Sequence, residues 1–270
     1  TGRDQRGRKQ YRYHPSWTAC RDEAKFSSLA GFAHALPGLR ARVDADLRRR
    51  GLPRERVVAS VVWLLDRTMI RIGNDAYRRE NRSFGLTTLR SRHLEIEGSS
   101  LRFSFRGKSG KEWKLKLSDR RIATVVRAIQ DLPGQSLFQY VGEDGARHEV
   151  RSHDVNDYIR AAIGPEFTSK HFRTWGATVL AALELAEEPL PASKRAQTIA
   201  LNAVLDRIAA MLRNTRAVCR RCYVHPAVVE AWLDGRLHDE MKAIRSRARR
   251  PFNNLDGDES AVLRWLDGQG

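Results

Sequence analysis

The hydrophobic period of this chain becomes strand-like after Gly85 and returns to helical near residue 119. Three segments between these points alternate apolar with polar residues and are separated by short turns rich in glycine and serine; they are HLEIEG (93–98), LRFSFRG (101–107) and KEWKLKL (111–117). Such alternation between tight turns predicts antiparallel strands. Since most of the remaining chain has helical spacing, the predicted fold class is α+β, mainly α with a small three-stranded antiparallel sheet.

Helical spacing before the sheet predicts a buried central helix over 54–70, because apolar residues cover nearly its whole circumference. This helix would end at Gly73 and Asn74, which tolerate left-handed backbone, and Asp75 would cap the next helix. Between residues 22 and 50 we predict two helices, the second opened by Pro37. The pattern after the sheet predicts a short strand over 137–140, helices over 119–131, 152–162, 169–187, 193–213, 215–222, 226–234 and 236–248, and one terminal helix.

The charge of the chain favours a polyanionic partner. There are 49 Lys plus Arg against 32 Asp plus Glu, a net charge of +17 that is spread along the whole length, so DNA or RNA is the first candidate. The longest apolar runs, such as VVASVVWLL (57–65), are well short of the ~20 residues that cross a bilayer, so we expect no membrane span. Three cysteines and no secretory signal lead us to expect a cytoplasmic protein.

Two familiar kinds of cofactor site are not supported by the sequence. GKS at 107–109 resembles the end of a phosphate-binding P-loop, but Arg102 stands where that loop needs glycine, and the setting is strand–turn–strand. Cys219, Cys222 and His225 could share one face of a helix, yet zinc needs four ligands and no second pair is present. We therefore expect neither a nucleotide nor a metal cofactor.

Cationic residues occur in unusual settings around a single tyrosine. Arg71 follows the most apolar helix, Arg173 opens another apolar helix, Lys108 lies at the tip of the second hairpin, and Tyr223 stands among arginines in AVCRRCYVHP. Each cation alone is more often a solvated surface charge than part of a site. A guanidinium at the border of an apolar helix is nevertheless costly unless it faces an anion.

Four blocks of sequence occur in an order and at spacings that resemble type IB DNA topoisomerases, specifically the small bacterial and poxvirus-like branch. They are RIGNDAYRREN with FGLTTLRSRH, the hairpin RGKSGK, KHFRTWGAT, and NTRAVCRRCYVHP. GRKQYRYHPSW also resembles the family's segment leaving the N-terminal domain. The resemblance implies a type IB topoisomerase or tyrosine recombinase-like catalytic domain in which Tyr223 is the nucleophile, Arg71 and Arg173 are the catalytic arginines, and Lys108 is the general acid.

Further residues gain expected roles from the same resemblance. Asn214 falls where poxviral and eukaryotic members carry histidine, and Lys170 matches a lysine that also acts at the scissile phosphate. Arg216 departs from the family pattern, because proline commonly follows the threonine, and this leaves the geometry of Asn214 open. The residues that match DNA-contacting positions in the family are Asn74, Tyr77, Gln10, Tyr11 and Tyr13.

The implied chemistry follows from the properties of a phenol and a phosphodiester. A tyrosine with an unperturbed pKa of ~10 is a poor nucleophile at neutral pH, and the phosphate repels oxyanions, so the site must supply fixed positive charge. Arginine forks neutralise the non-bridging oxygens, a lysine protonates the departing 5′ oxygen, and the 3′-phosphotyrosyl bond conserves the energy for resealing. We therefore expect ATP- and metal-independent relaxation of supercoiled DNA.

Two alternatives remain at this point. A tyrosine site-specific recombinase shares most of these residues, although recombinases typically carry histidine where this chain has Lys170. The chain could also be a non-catalytic, basic DNA-binding fragment.

The resemblance also divides the chain into domains. We expect residues 1–17, in which aromatic and basic residues alternate, to be the remnant of a β-rich N-terminal DNA-clamp domain with its linker. Residues 18–270 would be the catalytic domain. The expected protein is bacterial, cytoplasmic and nucleoid-associated, binds double-stranded DNA as a monomer, and needs no nucleotide or membrane.

Overall fold

The computed structural model describes residues 2–3, 9–10, 26–247 and 250–269, and these are mainly helical. The strands are β1 (Gly2–Arg3), β2 (Lys9–Gln10), β3 (Leu94–Glu97), β4 (Ser100–Arg106), β5 (Glu112–Ser118), β6 (Gln139–Val141) and β7 (Arg147–Glu149). The helices are α1 (Leu29–Leu47), α2 (Arg54–Thr68), α3 (Asp75–Asn81), α4 (Arg120–Gln130), α5 (Ser152–Ile163), α6 (Ser169–Glu187), α7 (Lys194–Met211), α8 (Arg216–Cys222), α9 (Pro226–Leu233), α10 (Leu237–Arg247) and α11 (Gly257–Asp267). The predicted fold class is confirmed.

Helix α2 forms the centre of the core. Its residues Val57 to Val62 are all buried, and α1, α5 and α6 pack around it. This burial explains why its sequence is apolar on nearly every side, as predicted for a helix without a solvent face. The functional consequence is that the segment leaving α2 starts from a rigid support.

The three-stranded sheet has the order β3-β4-β5, with both pairs antiparallel, as the alternating pattern predicts. Phe103 and Phe105 of β4 point into the core, while Arg102 and Ser104 are exposed on the other face. The sheet therefore closes one side of the core and carries the 107–110 turn at its end. A second, two-stranded pair, β6-β7, was not fully predicted, because β7 reads RHE and its side chains are all exposed.

Two predicted helix boundaries are wrong. Pro37 lies inside the continuous helix α1 and does not open a second helix; the buried side chains of Leu36 and Leu39 hold this part of the helix against the core, and packing overrides the lost backbone donor. Helix α2 ends at Thr68, before Gly73, because Met69 adopts the left-handed conformation with φ of 52°.

The start of α3 also differs from the prediction. The side-chain oxygen of Asn74 accepts a hydrogen bond from the Ala76 amide at 2.9 Å, so Asn74 caps this helix and Asp75 is its first residue.

A buried ion-pair network ties the carboxyl-terminal helix to the rest of the fold. Arg40 donates to Asp66 at 2.8 Å and to Glu259 at 2.6 Å, and the indole of Trp175 donates to Glu259 at 3.1 Å. Burial opposes ionisation of Glu259, but the hydrogen bonds and charge of Arg40 lower its pKa below the usual value. Since Trp175 belongs to α6, this network fixes the helix that also carries Arg173.

A search of the described residues finds no helix that is both long and apolar enough to span a lipid bilayer.

Candidate active site

Arg71 lies in the segment that joins α2 to α3, and the main chain of residues 85–87 packs against this segment. The carbonyls of Arg71 and Ile72 accept hydrogen bonds from the Leu86 and Thr87 amides at 2.9 and 2.8 Å. A Cβ atom on Gly85 would lie 2.5 Å from the Arg71 carbonyl oxygen, so only glycine allows the two segments to come this close. Arg71 is thus positioned by main-chain contacts with residues 85–87.

Arg173 lies in the first turns of α6 and is only 4% exposed. Its guanidinium donates hydrogen bonds to the main-chain carbonyls of Met69 and, at 2.8 Å, Leu212. The first of these carbonyls precedes Arg71 and the second precedes Asn214. Arg173 therefore joins two segments that are far apart in sequence.

Tyr223 follows the last residue of α8, and its ring lies beneath Arg173, with 5.0 Å between the guanidinium carbon and the ring centroid. The hydroxyl of Thr178 on α6 donates to the Tyr223 carbonyl and accepts from the His225 amide, both at 3.1 Å. His225 then caps α9, whose first residue is Pro226. The nucleophile candidate is therefore attached to the arginine helix through its main chain.

Asn214 occupies the turn between α7 and α8. Its side-chain oxygen accepts a hydrogen bond from Arg71 at 2.5 Å, and its main-chain amide donates to the Ala209 carbonyl at 2.8 Å. Arg216, where the family commonly has proline, is the first residue of α8 and pairs with Asp206 at 2.8 Å. The arginine at this position is thus compatible with the contact between Asn214 and Arg71.

The electrostatics of the site favour ionisation of the tyrosine. Burial opposes ionisation, but the charges of Arg173 and Arg71 outweigh it and lower the pKa of Tyr223 below its usual value. Burial and the charge of Arg71 lower the pKa of Arg173 to about 10, which leaves this guanidinium charged at neutral pH. The site therefore combines two permanent cations with a phenol that ionises more easily than usual.

Two buried donors in this cluster have no hydrogen-bond acceptor of standard geometry among the described residues. They are Nε of Arg173 and Nδ2 of Asn214. Buried donors are normally paired, and an anionic oxygen is the partner that suits a guanidinium best. The cluster of Arg71, Arg173, Asn214 and Tyr223, called the cradle below, can therefore receive an anion next to the phenol.

The two predicted lysines lie on exposed positions around the cradle. Lys108 is in the single 3-10 turn between β4 and β5, and Lys170 is one helical turn before Arg173 on α6. The same hairpin reaches the cradle through Lys111, whose Nζ lies 3.4 Å from the Asn214 carbonyl oxygen. Because both side chains are exposed, they can reach a bound substrate from the solvent side.

The predicted DNA-contacting residues are only partly described. Asn74 is exposed at the start of α3, close in sequence to Arg71, and Tyr77 belongs to the same helix. Gln10 is in β2, which pairs with β1. Tyr11 and Tyr13 lie outside the described residues.

Sequence reasoning missed the groups that hold the cradle together. Thr178 is completely buried and serves only main-chain partners, although it ends the KHFRTWGAT block that the sequence analysis singled out. The carbonyls of Met69 and Leu212 carry no residue-type signal at all. A polar residue on the apolar face of a helix, five positions after an arginine, was the available clue to Thr178.

Comparisons with known proteins show which family the sequence is similar to. The sequence profile of the family described as eukaryotic DNA topoisomerase I, catalytic core, matches residues 14–250. DNA topoisomerase 1B of Acanthamoeba polyphaga mimivirus is 30% identical over 239 residues, which cover 86% of this chain and 71% of the viral protein. DNA topoisomerase 1B of vaccinia virus (strain Copenhagen) is 23% identical over 234 residues, or 85% of this chain and 70% of that protein.

A fungal relative shares a smaller part of its length. DNA topoisomerase 1 of Mycosarcoma maydis is 24% identical over 208 residues, which are 70% of this chain but 20% of the fungal protein. These relatives are viral and eukaryotic, so the expectation of a bacterial origin gains no support from them.

Proposed function

The chain belongs to the type IB DNA topoisomerase family, and from that premise we propose that it relaxes supercoiled DNA through a transient break joined to Tyr223. The observation that carries the proposal is the cradle itself. Four residues from distant parts of the chain meet there, with Arg71 bonded to Asn214 at 2.5 Å and Arg173 lying 5.0 Å from the Tyr223 ring centroid.

The proposed cleavage step is a transesterification at phosphorus. The phenolic oxygen of Tyr223 forms a bond to the phosphorus, and the bond from phosphorus to the 5′ oxygen breaks. The phenolic proton goes to solvent, Lys108 gives a proton to the departing 5′ oxygen, and solvent reprotonates Lys108. The product is a 3′-phosphotyrosyl bond and a free 5′ hydroxyl, and religation is the same step in reverse.

The cradle supplies the charge stabilisation that this step needs. Arg71 and Arg173 would neutralise the non-bridging oxygens as the five-coordinate phosphorus forms, and Nδ2 of Asn214 would add a neutral donor. Removing one such donor typically costs about 10²- to 10³-fold in rate. Lys170, one turn before Arg173, would contact the same phosphate from the exposed side.

The energetics of the proposed reaction require no nucleotide. The phosphotyrosyl ester is chemically similar to the phosphodiester that it replaces, so the energy of the broken bond is kept for resealing. While the strand is open, the free 5′ end rotates and supercoils of either sign relax. We propose that Asn74, Tyr77, Gln10, Tyr11 and Tyr13 hold the duplex during this rotation, through contacts to its backbone.

A relaxation assay tests the proposal directly. Negatively supercoiled plasmid is incubated with the protein in EDTA without nucleotide, and the expected product is a ladder of relaxed topoisomers. Unchanged supercoils would overturn the proposal, as would strand exchange between paired sites, which indicates a recombinase. Gel retardation without relaxation would indicate a DNA-binding fragment.

The polarity of the covalent bond is tested on a labelled duplex. An oligonucleotide labelled at the 5′ end of the cleaved strand should carry its label into the protein adduct, because the proposed bond retains the upstream fragment. Label recovered only from the 3′ end would contradict the 3′-phosphotyrosyl assignment.

We extend the proposal to the setting in which the enzyme works. A DNA substrate and a cradle built from the described residues of one chain are compatible with a monomer that acts in the cytoplasm on nucleoid DNA. Sedimentation of the protein bound to a short duplex, and imaging of a fluorescent fusion, would test these two points.

A further inference from the structure

The hairpin that carries Lys108 rests on the turn that carries Asn214. Trp113 of β5 is 5% exposed, and the guanidinium of Arg213 lies over its ring, 5.9 Å from the centroid. Lys111, on the same hairpin, approaches the Asn214 carbonyl at 3.4 Å. Two neighbouring contacts therefore join the hairpin to residues 213 and 214.

Trp113 also supports the base of the 107–110 turn. A Cβ atom on Gly107 would lie 2.8 Å from two atoms of the Trp113 indole, so the ring is in direct contact with the backbone that precedes Lys108. The Gly107 amide donates to the Lys111 carbonyl at 2.8 Å and closes the turn. The indole thus contacts both Arg213 and the start of the Lys108 turn.

Arg213 is itself fixed by the end of α7. It has a φ of 51°, and its amide donates to the Ala210 carbonyl at 3.1 Å. The preceding residue, Leu212, accepts the hydrogen bond from Arg173, and the following residue is Asn214. Arg213 therefore lies between Leu212, which is bonded to the cradle, and Asn214, which belongs to it.

We propose that Arg213 is a positioning residue for proton transfer, because its contact with Trp113 sets where the Lys108 turn lies relative to the cradle. The inference rests on the proposed role of Lys108 as general acid. A proton donor must come within hydrogen-bond distance of the leaving oxygen, and a loosely held turn spends less time there. Loss of the contact slows protonation of the leaving group and leaves the attack of Tyr223 and the binding of phosphate unchanged.

Substitution of the leaving atom separates these effects. Single-turnover cleavage by Arg213→Ala is measured on an ordinary duplex and on one in which sulfur replaces the bridging 5′ oxygen at the cleavage site. A thiolate leaves without being protonated, since thiols are far stronger acids than alcohols. We expect cleavage of the oxygen substrate to slow by about tenfold, the scale of a partly buried cation–π contact, and cleavage of the sulfur substrate to match that of the parent protein.

Two further variants serve as matched controls. Arg213→Lys retains a cation that can lie over the indole and should recover part of the rate on the oxygen substrate. Arg216→Ala removes a charge three residues along the chain that pairs with Asp206 of α7, and it should leave both rates unchanged. Melting temperatures of all variants show whether the fold is intact.

Lys108→Ala, measured in parallel, separates failure of the inference from failure of the proposed function. If sulfur restores cleavage by Lys108→Ala but not by Arg213→Ala, the positioning role is wrong and the general acid is retained. If sulfur fails to restore Lys108→Ala, the role of Lys108 in the proposed function is wrong. An Arg213→Ala variant with parental rates on both substrates would also overturn the positioning role.

Discussion

Tyr158 and Tyr223 each lie beneath an arginine, yet their surroundings have opposite effects on their hydroxyl groups. Arg42 lies 5.8 Å from the ring centroid of Tyr158, and Arg173 lies 5.0 Å from that of Tyr223. The hydroxyl of Tyr158 donates to the carboxylate of Asp46 at 2.8 Å, and burial together with this carboxylate raises the pKa of Tyr158 far above its usual value. In the cradle, the charges of Arg173 and Arg71 outweigh burial and lower the pKa of Tyr223.

The difference shows that an arginine over a ring does not by itself make a nucleophile. Asp46 takes hydrogen bonds from Arg42 and Arg49 as well as from Tyr158, so the cations there are neutralised by a group that also holds the phenolic proton. The result is a structural contact between α1 and α5. The cations of the cradle keep their charge available for an incoming phosphate, which is the condition for transesterification.

The largest expected effect comes from removing each hydroxyl in turn. Tyr223→Phe should abolish both the covalent protein–DNA adduct and plasmid relaxation, because the attacking oxygen is gone. Tyr158→Phe should form the adduct at the parental rate but lose about 1–3 kcal/mol of unfolding free energy, because a buried hydrogen bond to a charged group is lost. Adducts are detected by denaturing electrophoresis, and stability by urea unfolding.

The contrast between the two sites fails under either of two outcomes. Adduct formation by Tyr223→Phe would mean that another residue is the nucleophile. Loss of the adduct in a folded Tyr158→Phe protein would mean that the α1–α5 contact takes part in the reaction.

The next effect concerns the arginines over the two rings. Arg173→Gln should slow single-turnover cleavage by about 10²- to 10³-fold, because one stabilising donor at the phosphate is lost. It should also destabilise the fold by about 1–3 kcal/mol, since the Met69 and Leu212 carbonyls lose their donor.

The matched variant at the other tyrosine is Arg42→Gln. Arg42 is half exposed and Asp46 retains two other donors, so cleavage should remain at the parental rate and stability should change by only a few tenths of a kcal/mol to about 1 kcal/mol. Equal effects of the two substitutions on cleavage would show that the cradle is not distinct from a structural ion pair.

A smaller effect is expected at Thr178, which connects Tyr223 to the arginine helix. Thr178→Val keeps the shape of the side chain but leaves the Tyr223 carbonyl and the His225 amide without this partner, at a cost of about 1–3 kcal/mol. Cleavage should slow by less than about tenfold, since the phenol is displaced but retained. Thr174→Val is the control, because the Thr174 hydroxyl bonds only within its own helix, to the Lys170 carbonyl.

These contacts also show where the sequence informs and where it does not. The helices and the three-stranded sheet follow the hydrophobic period closely, because burial of one face dictates that period. Arg71 and Arg173 could be singled out because a guanidinium at the border of an apolar helix is costly unless it faces an anion, and Tyr223 because it stands among arginines; their catalytic roles came from the resemblance. Asn214 and Lys170 were reached only through resemblance to a family.

The parts that were not predicted depend on main-chain atoms. Any residue could supply the carbonyls that Arg173 binds, and the left-handed turn at Met69 has no glycine or asparagine to mark it. The prediction at Pro37 was wrong for a related reason. The local preference of proline indicated the start of a helix, but packing of α1 keeps the helix continuous through this residue. Long-range packing, which single-sequence patterns do not encode, settled each of these cases.

The smallest effect, and the most direct readout of the contrast, is the pH dependence of stability. The pKa of Tyr223 is lower in the folded state than its unfolded value of ~10. Ionisation of this phenol therefore stabilises the fold fully above pH ~10, and the stabilisation is lost as the pH falls through the folded pKa. The pKa of Tyr158 is raised, so its contribution is complete below pH ~10 and declines only as the pH rises further toward its folded value. Urea unfolding of the parent and of each phenylalanine variant between pH ~8 and ~11 should therefore give difference curves of opposite slope. The difference should rise with pH for Tyr223 and fall at the alkaline end for Tyr158. Two curves whose slopes have the same sign would show that the arginines of the cradle do not control the phenol.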